Sequence, residues 1–278
     1  MRMEVPELVF EAGPQHRLRN ALRELWSFRG GVLAFAERDV RVKYKQAALG
    51  IGWAVVQPLA FMAVFVFAFG HAAKVSGGGS SYAAFTLSAL VPWTFLQTGV
   101  TFGAQSLLND SALLRKVYFP REVPVLGAVL SSVVDLGIGL ILFCVLGPIF
   151  GAHVSPTWLL APLLALPLAL LAGGVGLALA ALNVYYRDFR YALPFVLQLW
   201  LFASPVAYPL TVVPEQWRNL YVTLNPAAGI LDGFRRTLAL GELPDPVTLS
   251  ISVAGCAVVV WLGYRIFKRL EPNFADVV

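Results

Sequence analysis

Residues whose side chains could support chemistry are sparse in this sequence. No phosphate-binding GxxxxGKS/T motif occurs, since none of the five lysines follows a glycine, and we therefore expect no ATP hydrolysis by this chain alone. His16, His71 and His153 stand in separate segments without a second type of ligand nearby, so no metal site is predicted. No cluster of carboxylates or histidines indicates a catalytic centre, and we predict a protein that is not an enzyme.

Asp135 is the only acidic residue well inside an apolar stretch of the sequence. A charge there costs roughly 2.5 to 3.5 kcal/mol on membrane-insertion scales, so its presence requires an explanation. One hypothesis is a role in proton coupling. The hypothesis that we favour is a hydrogen-bonded packing seam, because Ser131, Ser132 and Gly139 lie on the same helical face as Asp135.

The composition is typical of a membrane protein. Of the 278 residues, 58% are hydrophobic and 13% are charged, whereas about 25% are charged in an average soluble domain. Six stretches approach the ~20 apolar residues that an α-helix needs to cross a ~30 Å hydrocarbon core. They are residues 51–69, 83–102, 123–146, 158–182, 191–208 and 249–267, of which the fifth is interrupted by Pro194 and Pro205 and is followed directly by Pro209. We therefore predict an all-α integral membrane protein with six transmembrane helices.

The distribution of basic residues predicts the orientation of these helices. Lys and Arg are enriched in cytoplasmic loops, and with the N-terminus inside, 17 of the 21 basic residues fall on the cytoplasmic side. Both termini are therefore predicted to be cytoplasmic. The net charge of +5 follows from this arrangement and gives no indication of nucleic-acid binding.

A basic segment runs directly into the first predicted span, in the stretch RDVRVKYKQAALGIGWAVVQP of residues 38–58. An α-helix here would place Leu33, Ala36, Val40, Tyr44 and Ala47 on one stripe, with Arg38, Arg41 and Lys45 elsewhere. This pattern is typical of an amphipathic helix at the membrane surface, which would bend into the span near Gly50 and Gly52. An ordinary basic flank of a span is the alternative.

The predicted inner loop of residues 104–122, AQSLLNDSALLRKVYFPRE, contains more apolar side chains than a simple connector requires. Asn109, Asp110 and Ser111 are possible helix N-caps at its centre. The following Val117, Tyr118 and Phe119 favour contact with the membrane surface or with a protein partner over exposure to water. Of these two environments, we favour the protein partner.

The predicted outer segment of residues 204–246 is long, yet rich in apolar side chains. Asn225 and Pro226 are a favourable N-cap and first-turn pair for a helix. The apolar residues that follow recur at helical spacing, at Ile230, Leu231, Phe234 and Leu238. We therefore predict one or two short helices that fold back into the outer membrane interface.

Four stretches together resemble those of a known family: RDVRVKYKQAALGIGWAVVQPL, LVPWTFLQTGV, NDSALLRKVYFPREVPVL and NVYYRDFRYALPFVLQLWLFASPVAYP. The likeness covers residues 30–270 and is to the membrane subunit of type-2 ATP-binding-cassette (ABC) exporters, above all those that export O-antigen, capsule or teichoic acid chains. It implies a homodimer in the bacterial cytoplasmic (inner) membrane and a lipid-linked polysaccharide as substrate. It also implies a separate ATPase subunit, present twice, that binds ATP and Mg²⁺, so no cofactor is expected in this chain.

The resemblance further implies a role for each segment. Residues 1–48 would be a cytoplasmic segment whose interface helix frames the opening for substrate, residues 49–270 the transmembrane domain, and residues 271–278 a short cytoplasmic tail. Residues 104–122 would dock on the ATPase as a coupling loop, through Asn109, Leu113, Arg115, Lys116, Val117, Tyr118 and Phe119. Residues 204–246 would form re-entrant outer gate helices, with Tyr208, Trp217, Tyr221, Ile230 and Phe234 at the gate.

The implied substrate requires two kinds of contact. The phosphates of a lipid carrier need cations near the inner surface, for which the candidates are Arg38, Arg41, Lys43, Arg187 and Arg190. A neutral glycan needs a path with few fixed charges and with aromatic faces, and the candidates to line it are Phe61, Phe65, Trp93, Phe195, Trp200 and Phe202. The first and fifth spans would face this path. Positive-inside topology and ordinary helix packing are the alternative explanations of these residues.

Two other functions stay open at this stage. An exporter of the same superfamily for a drug or a small lipid would share most of these features, although the long basic helix and the aromatic residues favour the polysaccharide. A membrane enzyme acting on lipid-linked sugars would require clustered carboxylates or histidines at one membrane face, and the sequence shows no such cluster. The sequence does not identify the sugar or the lipid carrier.

Overall fold

The computed structural model describes residues 23, 25–45, 50–72, 80–114, 119–186 and 188–274, and the secondary structure in these ranges is entirely helical. The first helices are α1 (Arg29–Lys45), α2 (Gly52–Phe65, continued by a π-helical turn over Val66–Ala72), α3 (Tyr82–Asn109), α4 (Ser111–Leu114), α5 (Glu122–Ser131) and α6 (Val133–Ile149). They are followed by α7 (Ala161–Tyr185, preceded by the 3-10 helix Pro156–Leu160), α8 (Asp188–Ala203), α9 (Glu215–Leu224), α10 (Pro226–Arg235, continued by a π-helical turn over Arg236–Leu240) and α11 (Pro246–Leu270). Short 3-10 turns also occupy Leu210–Val212 and Glu271–Asn273. The prediction of an all-α fold is confirmed.

Four helical stretches of the described chain are long and apolar enough to cross a membrane. They are Gly52–Gly70, Glu122–Ile149, Pro156–Tyr185 and Pro246–Leu270. These stretches coincide with the first, third, fourth and sixth predicted spans. The second and fifth predicted spans correspond to α3 and α8. Neither meets these criteria: α3 is long enough but less apolar, and α8 is too short.

Helix α3 lies at the centre of the bundle and contacts α2, α5, α6, α7, α8 and α10. Its large side chains Phe85, Trp93 and Phe95 are fully buried. With 28 residues it is long enough to span a bilayer, but it contains several Ser, Thr and Gln residues. A helix that is covered by other helices on most sides needs less hydropathy than one that faces lipid, because its neighbours are protein atoms.

Helix α8 is shorter than the fifth predicted span, which was placed at residues 191–208. It has 16 residues, which is about 24 Å of helix and less than the hydrocarbon thickness. The helix ends at Ala203 because Pro205 disfavours helical geometry at the residue before it and lacks an N–H donor. Pro194 is accommodated inside the helix.

The third predicted span is interrupted at Ser132, where α5 ends and α6 begins. The Ser131 hydroxyl donates to the Ala128 carbonyl (2.7 Å), and the Ser132 hydroxyl donates to the same carbonyl (3.3 Å). Serine side chains that bond back to the preceding turn commonly bend helices. The two pieces still form one apolar stretch long enough to cross the membrane.

Helices α7 and α11 approach each other closely at a pair of glycines. A Cβ atom placed on Gly263 would lie 2.0 Å from the carbonyl oxygen of Gly174. A Cβ atom placed on Gly174 would lie 2.7 Å from the Cα atom of Val260. Small residues let two helix backbones pack in direct contact within a membrane, so this crossing depends on both glycines.

We therefore predict that Gly263→Ala separates α7 from α11 and lowers the free energy of unfolding by about 1–3 kcal/mol. Thermal unfolding of the detergent-purified protein measures the effect. Gly137→Ala is the matched control, because a Cβ atom at Gly137 meets nothing within 4 Å. Equal melting temperatures of the two variants would contradict the assignment.

Candidate functional site

Helix α1 is an ordered helix that packs against α5. A Cβ atom on Gly127 of α5 would lie only 2.6 Å from the Phe35 Cβ atom, and Ala36 is buried in the contact. The helix expected from the amphipathic pattern is therefore present. The predicted stripe is only partly correct, since Leu33 is exposed, because the face that packs on α5 is centred on Phe35 and Ala36. Ala47 falls in a range that the structure does not describe.

Arg38 joins α1 to the end of α3. Its Nη1 and Nη2 atoms donate to the two carboxylate oxygens of Asp110 at 2.6 and 2.8 Å, and its Nε and Nη2 atoms donate to Asp39 at 3.0 and 2.8 Å. The hydrogen bond with Asp110 is the largest cause that raises the pKa of Arg38. Asp110 was predicted as a possible N-cap, but it is the C-cap residue of α3, and its carboxylate binds Arg38 instead. The charge of Arg38 is thus balanced within the chain.

A second polar contact joins α1 to α6. Asp135 in the first turn of α6 accepts hydrogen bonds from the Lys43 ammonium and the Tyr44 hydroxyl. Burial, followed by the bond to Asp135, raises the pKa of Tyr44, so the phenol remains protonated and donates. Asp135 is therefore hydrogen-bonded at a helix contact, as the packing-seam hypothesis expects. Its partners are Lys43 and Tyr44 of α1 and not the neighbouring serines, whose hydroxyls bond to a carbonyl of α5.

Two cavities lie on either side of Lys43, among α1, α2 and α3. One has a volume of about 240 Å³ and the other of about 310 Å³. The first is lined by Lys43, Tyr44, Gly50, Trp53, Ala54, Gln57, Pro58, Thr94, Thr98 and Asp135, and the second by Arg38, Asp39, Val42, Lys43, Phe102, Ser106, Asn109 and Asp110. The structure therefore brings two of the predicted cations, Arg38 and Lys43, to the second cavity, which has many polar groups in its lining.

The other predicted cations lie elsewhere. Arg41 forms an exposed ion pair with Glu37 on α1 itself. Arg190 is exposed at the start of α8 and lines neither cavity. Arg187 belongs to the undescribed part of the chain.

The predicted coupling loop contacts α1 at its two described ends. At its start, Asp110 binds Arg38, and at its end the ring of Phe119 lies 5.6 Å from the ring of Phe35. Asn109 is exposed at the last position of α3, and Leu113 is partly buried in α4. Phe119 was predicted to insert into a partner, but its contact with Phe35 already covers part of its ring within the chain. Arg115, Lys116, Val117 and Tyr118 lie outside the described residues.

An apolar groove of about 460 Å³ runs between α2 and α8. It is lined by Trp53, Val56, Gln57, Ala60, Phe61, Val64, Phe65, Gln198 and Phe202. No ionisable side chain is in this lining, whereas it has four aromatic rings and two amides. Phe61, Phe65 and Phe202, which were predicted to line a path, therefore lie in one groove between the first and fifth predicted spans.

The other aromatic candidates have different environments. Trp93 is 1% exposed, and the Trp200 ring packs on it at a centroid distance of 5.8 Å. The prediction that Trp93 lines a path is wrong for the single chain, because α3 is enclosed by other helices. The Trp200 indole N–H donates to Asn225 (2.9 Å), so this residue joins α8 to the outer helices. Phe195 is exposed on α8, outside the groove lining.

The outer segment contains the predicted short helices, α9 and α10, and α10 begins at Pro226 as expected. Ile230 and Phe234 are fully buried, so they are core residues and do not line an open gate as predicted. Trp217 is exposed on α9. Tyr208 and Tyr221 are partly buried, and their hydroxyls donate to the Phe202 carbonyl (3.2 Å) and the Ala203 carbonyl (2.7 Å).

Sequence reasoning missed a polar cluster at the end of α11. Lys268 lies 2.5 Å from Glu122 at the start of α5 and 2.8 Å from Glu271. Arg121 donates to the Glu271 carbonyl (2.6 Å), and Phe274 is buried. The first residues of the predicted tail are thus packed against the end of the predicted coupling loop. No sequence signal distinguished this lysine from an ordinary basic flank.

These features define a class of protein: the chain is a multi-pass membrane protein with an apolar groove between two helices and no catalytic cluster in the described residues. The family model for ABC-2 type transporters matches residues 31–239. The chain belongs to the ABC-2 type transporter family, and it is a transporter permease, not an enzyme.

Three relatives are similar to this chain over most of their length. The chain is 30% identical over 260 residues to the O-antigen export system permease protein RfbA of Myxococcus xanthus, covering 92% of this chain and 98% of that protein. It is 25% identical to the RfbA protein of Klebsiella pneumoniae, covering 89% and 94%. It is 21% identical to the polysialic acid transport protein KpsM of Escherichia coli, covering 84% and 91%.

The contact between Lys43 and Asp135 yields a testable prediction. Lys43→Met or Asp135→Asn leaves the other partner without its opposite charge, and each should lower the free energy of unfolding by about 1–3 kcal/mol. The double variant should lose less than the sum of the two single effects, since they remove the same contact. Thermal unfolding in detergent measures all three.

Arg41→Met is the control for this experiment, because its ion pair with Glu37 is exposed. It should change stability by no more than about 0.5 kcal/mol. Strict additivity of the Lys43 and Asp135 effects would show that the contact does not hold α1 in place.

Proposed function

We propose that this chain is the transmembrane subunit of an ATP-driven exporter that moves a lipid-linked polysaccharide across the bacterial cytoplasmic membrane. The observation that carries the proposal is the groove between α2 and α8, with aromatic and amide walls and no ionisable side chain. The names of the three relatives, which refer to O-antigen export and polysialic acid transport, support the same substrate class.

The groove has the chemistry that a moving neutral glycan requires. Aromatic rings such as Phe61 and Phe202 offer flat apolar faces to sugar rings, and the amides of Gln57 and Gln198 can exchange hydrogen bonds with hydroxyl groups. A fixed charge would bind individual groups more strongly and slow the movement of a polymer. This composition favours an uncharged polysaccharide over a polyanionic one such as the polysialic acid in the name of the KpsM relative.

Two copies of the chain would enclose the path. Trp53, Val64 and Phe67 on α2 and Phe195 on α8 are large apolar side chains that are exposed in the single chain. A second copy facing α2 and α8 would cover them and convert two grooves into one channel. The homodimer is part of the proposal.

The proposed topology has six spans and two cytoplasmic ends. The four stretches that meet the membrane criteria supply the first, third, fourth and sixth spans, α3 supplies the second, and α8 supplies the fifth. Helices α9 and α10 form the re-entrant outer segment. In this arrangement α1 and the coupling loop lie on the cytoplasmic side.

The energy comes from a separate ATPase subunit, present twice, that binds ATP and Mg²⁺. The coupling loop docks on this subunit, and its two contacts with α1, Asp110 to Arg38 and Phe119 to Phe35, carry its movement to the interface helix. The cavities beside Lys43 give the phosphates of the lipid carrier a place among cations and hydroxyl groups.

A reconstituted system tests the function. Proteoliposomes that contain the permease and its ATPase should move a lipid-linked glycan across the membrane only when ATP is present, read by an impermeant glycosidase. Phe202→Ala removes an aromatic face from the groove and should slow this movement about fivefold, equivalent to ~1 kcal/mol of stacking.

Leu199→Ala is the matched control, because Leu199 is exposed on the same helix but does not line the groove. It should leave the rate unchanged. ATP-driven movement of a small drug or lipid, without movement of the glycan, would reject the polysaccharide assignment.

The coupling assignment has its own test. Tyr118→Ala should weaken binding of the ATPase by about 2 kcal/mol, roughly thirtyfold in Kd, if this side chain fills a cleft at the centre of the contact. Binding of the purified ATPase to the detergent-purified permease measures this. Tyr191→Ala, at an exposed tyrosine of α8, is the control and should bind normally. Unchanged affinity of the Tyr118 variant would place the docking site elsewhere.

A further inference from the structure

The non-helical turn after α8, residues 204–209, is held by side chains from several other elements. Side chains donate hydrogen bonds to carbonyls of this turn and of the last two residues of α8: Phe202 (from Tyr208 of the turn itself, 3.2 Å), Ala203 (from Tyr221, 2.7 Å, and Asn225, 3.2 Å), Pro205 (from Arg235), Val206 (from Arg235, 3.1 Å) and Ala207 (from Tyr82, 2.6 Å). Irregular backbone within a membrane protein must obtain its hydrogen bonds from the protein. The shape of this turn therefore depends on these donors.

Arg235 is the most deeply buried donor of the group, with 2% of its surface exposed. One nitrogen, Nη2, donates to two successive carbonyls of the turn. The guanidinium carbon lies 3.9 Å from the centroid of the Phe85 ring on α3, and Nη1 lies 3.8 Å from a carboxylate oxygen of Asp232. The Nε and Nη1 atoms have no hydrogen-bond partner among the described residues, so the two Nη2 bonds, the Phe85 ring and the Asp232 charge must offset the cost of burying this cation. The site therefore favours one fixed arrangement of α3, α10 and the turn.

The same turn fixes the end of the groove. Phe202 and Ala203 are the last two residues of α8, and their carbonyls belong to the set that accepts side-chain bonds. The Phe202 ring lines the groove and lies 6.1 Å from the Phe65 ring of α2. A displacement of the turn would therefore move an aromatic wall of the groove.

We propose that Arg235 is a positioning residue: it fixes the turn of residues 204–209 and thereby holds Phe202 at the end of the transport path. The effect on transport rests on the proposed function, whereas the effect on the turn does not. In the sequence, Arg235 stands out only as one of the four basic residues that are not predicted to lie on the cytoplasmic side of the membrane. Its position on α10 brings its side chain to the end of α8.

A spin label tests the first part of the proposal in the purified full-length chain. Ala203→Cys is placed in a background with Cys144 and Cys256 replaced by alanine, and the label mobility is read by electron paramagnetic resonance. Arg235→Met keeps a long apolar side chain but removes the donors and the charge. It should shorten the rotational correlation time of the label about twofold or more, because two carbonyls of the turn lose their hydrogen-bond donor.

The second part is tested by ATP-dependent glycan movement in proteoliposomes. Arg235→Met should slow it about tenfold, and Arg235→Lys, which keeps the charge and a donor, should recover part of the loss. Arg236→Met is the matched control. The neighbouring Arg236 is 37% exposed and pairs with Asp232 and Glu242, and its replacement should change neither the label mobility nor the rate.

Each result decides the proposal. Increased mobility together with reduced movement for Arg235→Met, and neither for Arg236→Met, supports it. Normal mobility with lost movement would overturn it, since Arg235 would then act on transport by another route, and so would increased mobility with normal movement. If Arg235→Met does not fold, Arg235→Lys takes its place. It removes the guanidinium that reaches two successive carbonyls and should increase the label mobility and slow the movement, each to a smaller degree; unchanged mobility and movement in this variant would overturn the proposal.

Discussion

The enclosure of α3 by other helices is the constraint on which the rest of the structure depends. Because α3 contacts α2, α5, α6, α7, α8 and α10, its surface sets the position of each of them. Its side chains are also used at both ends: Asp110, the residue after its last turn, binds α1, and Tyr82, its first residue, binds the turn beyond α8. Helix α3 thus connects α1 with the turn that follows α8.

Polar contacts then fix the positions of the helices at the two ends of the bundle. At the inner end, α1 is attached through Arg38 to α3 and through Lys43 to α6. At the outer end, carbonyl groups that no helix satisfies are bound by side chains. Apart from the bond of Tyr208 to the Phe202 carbonyl, the partners lie at least 18 positions apart in sequence, so these contacts fix tertiary geometry and not local structure.

Apolar length and helical spacing predicted most of the elements, including α1 and the start of α10 at Pro226. They did not predict the environment of individual residues. Trp93 and Phe61 look alike in sequence, but one is in the core and the other borders a groove, because burial depends on which helices surround each span. Similarly, no local pattern shows that Asp135 binds Lys43, which is 92 positions away. The resemblance of four ordered motifs predicted the family, because it draws on the whole arrangement of the chain.

The absence of ionisable groups from the groove lining between α2 and α8 has a consequence for pH. Walls made of rings, aliphatic side chains and amides keep the same charge from acid to alkaline solution, since none of these groups titrates in that range. A change of pH would therefore leave the charge of the groove walls unchanged. Dependence on pH would instead originate at ionisable side chains outside this lining.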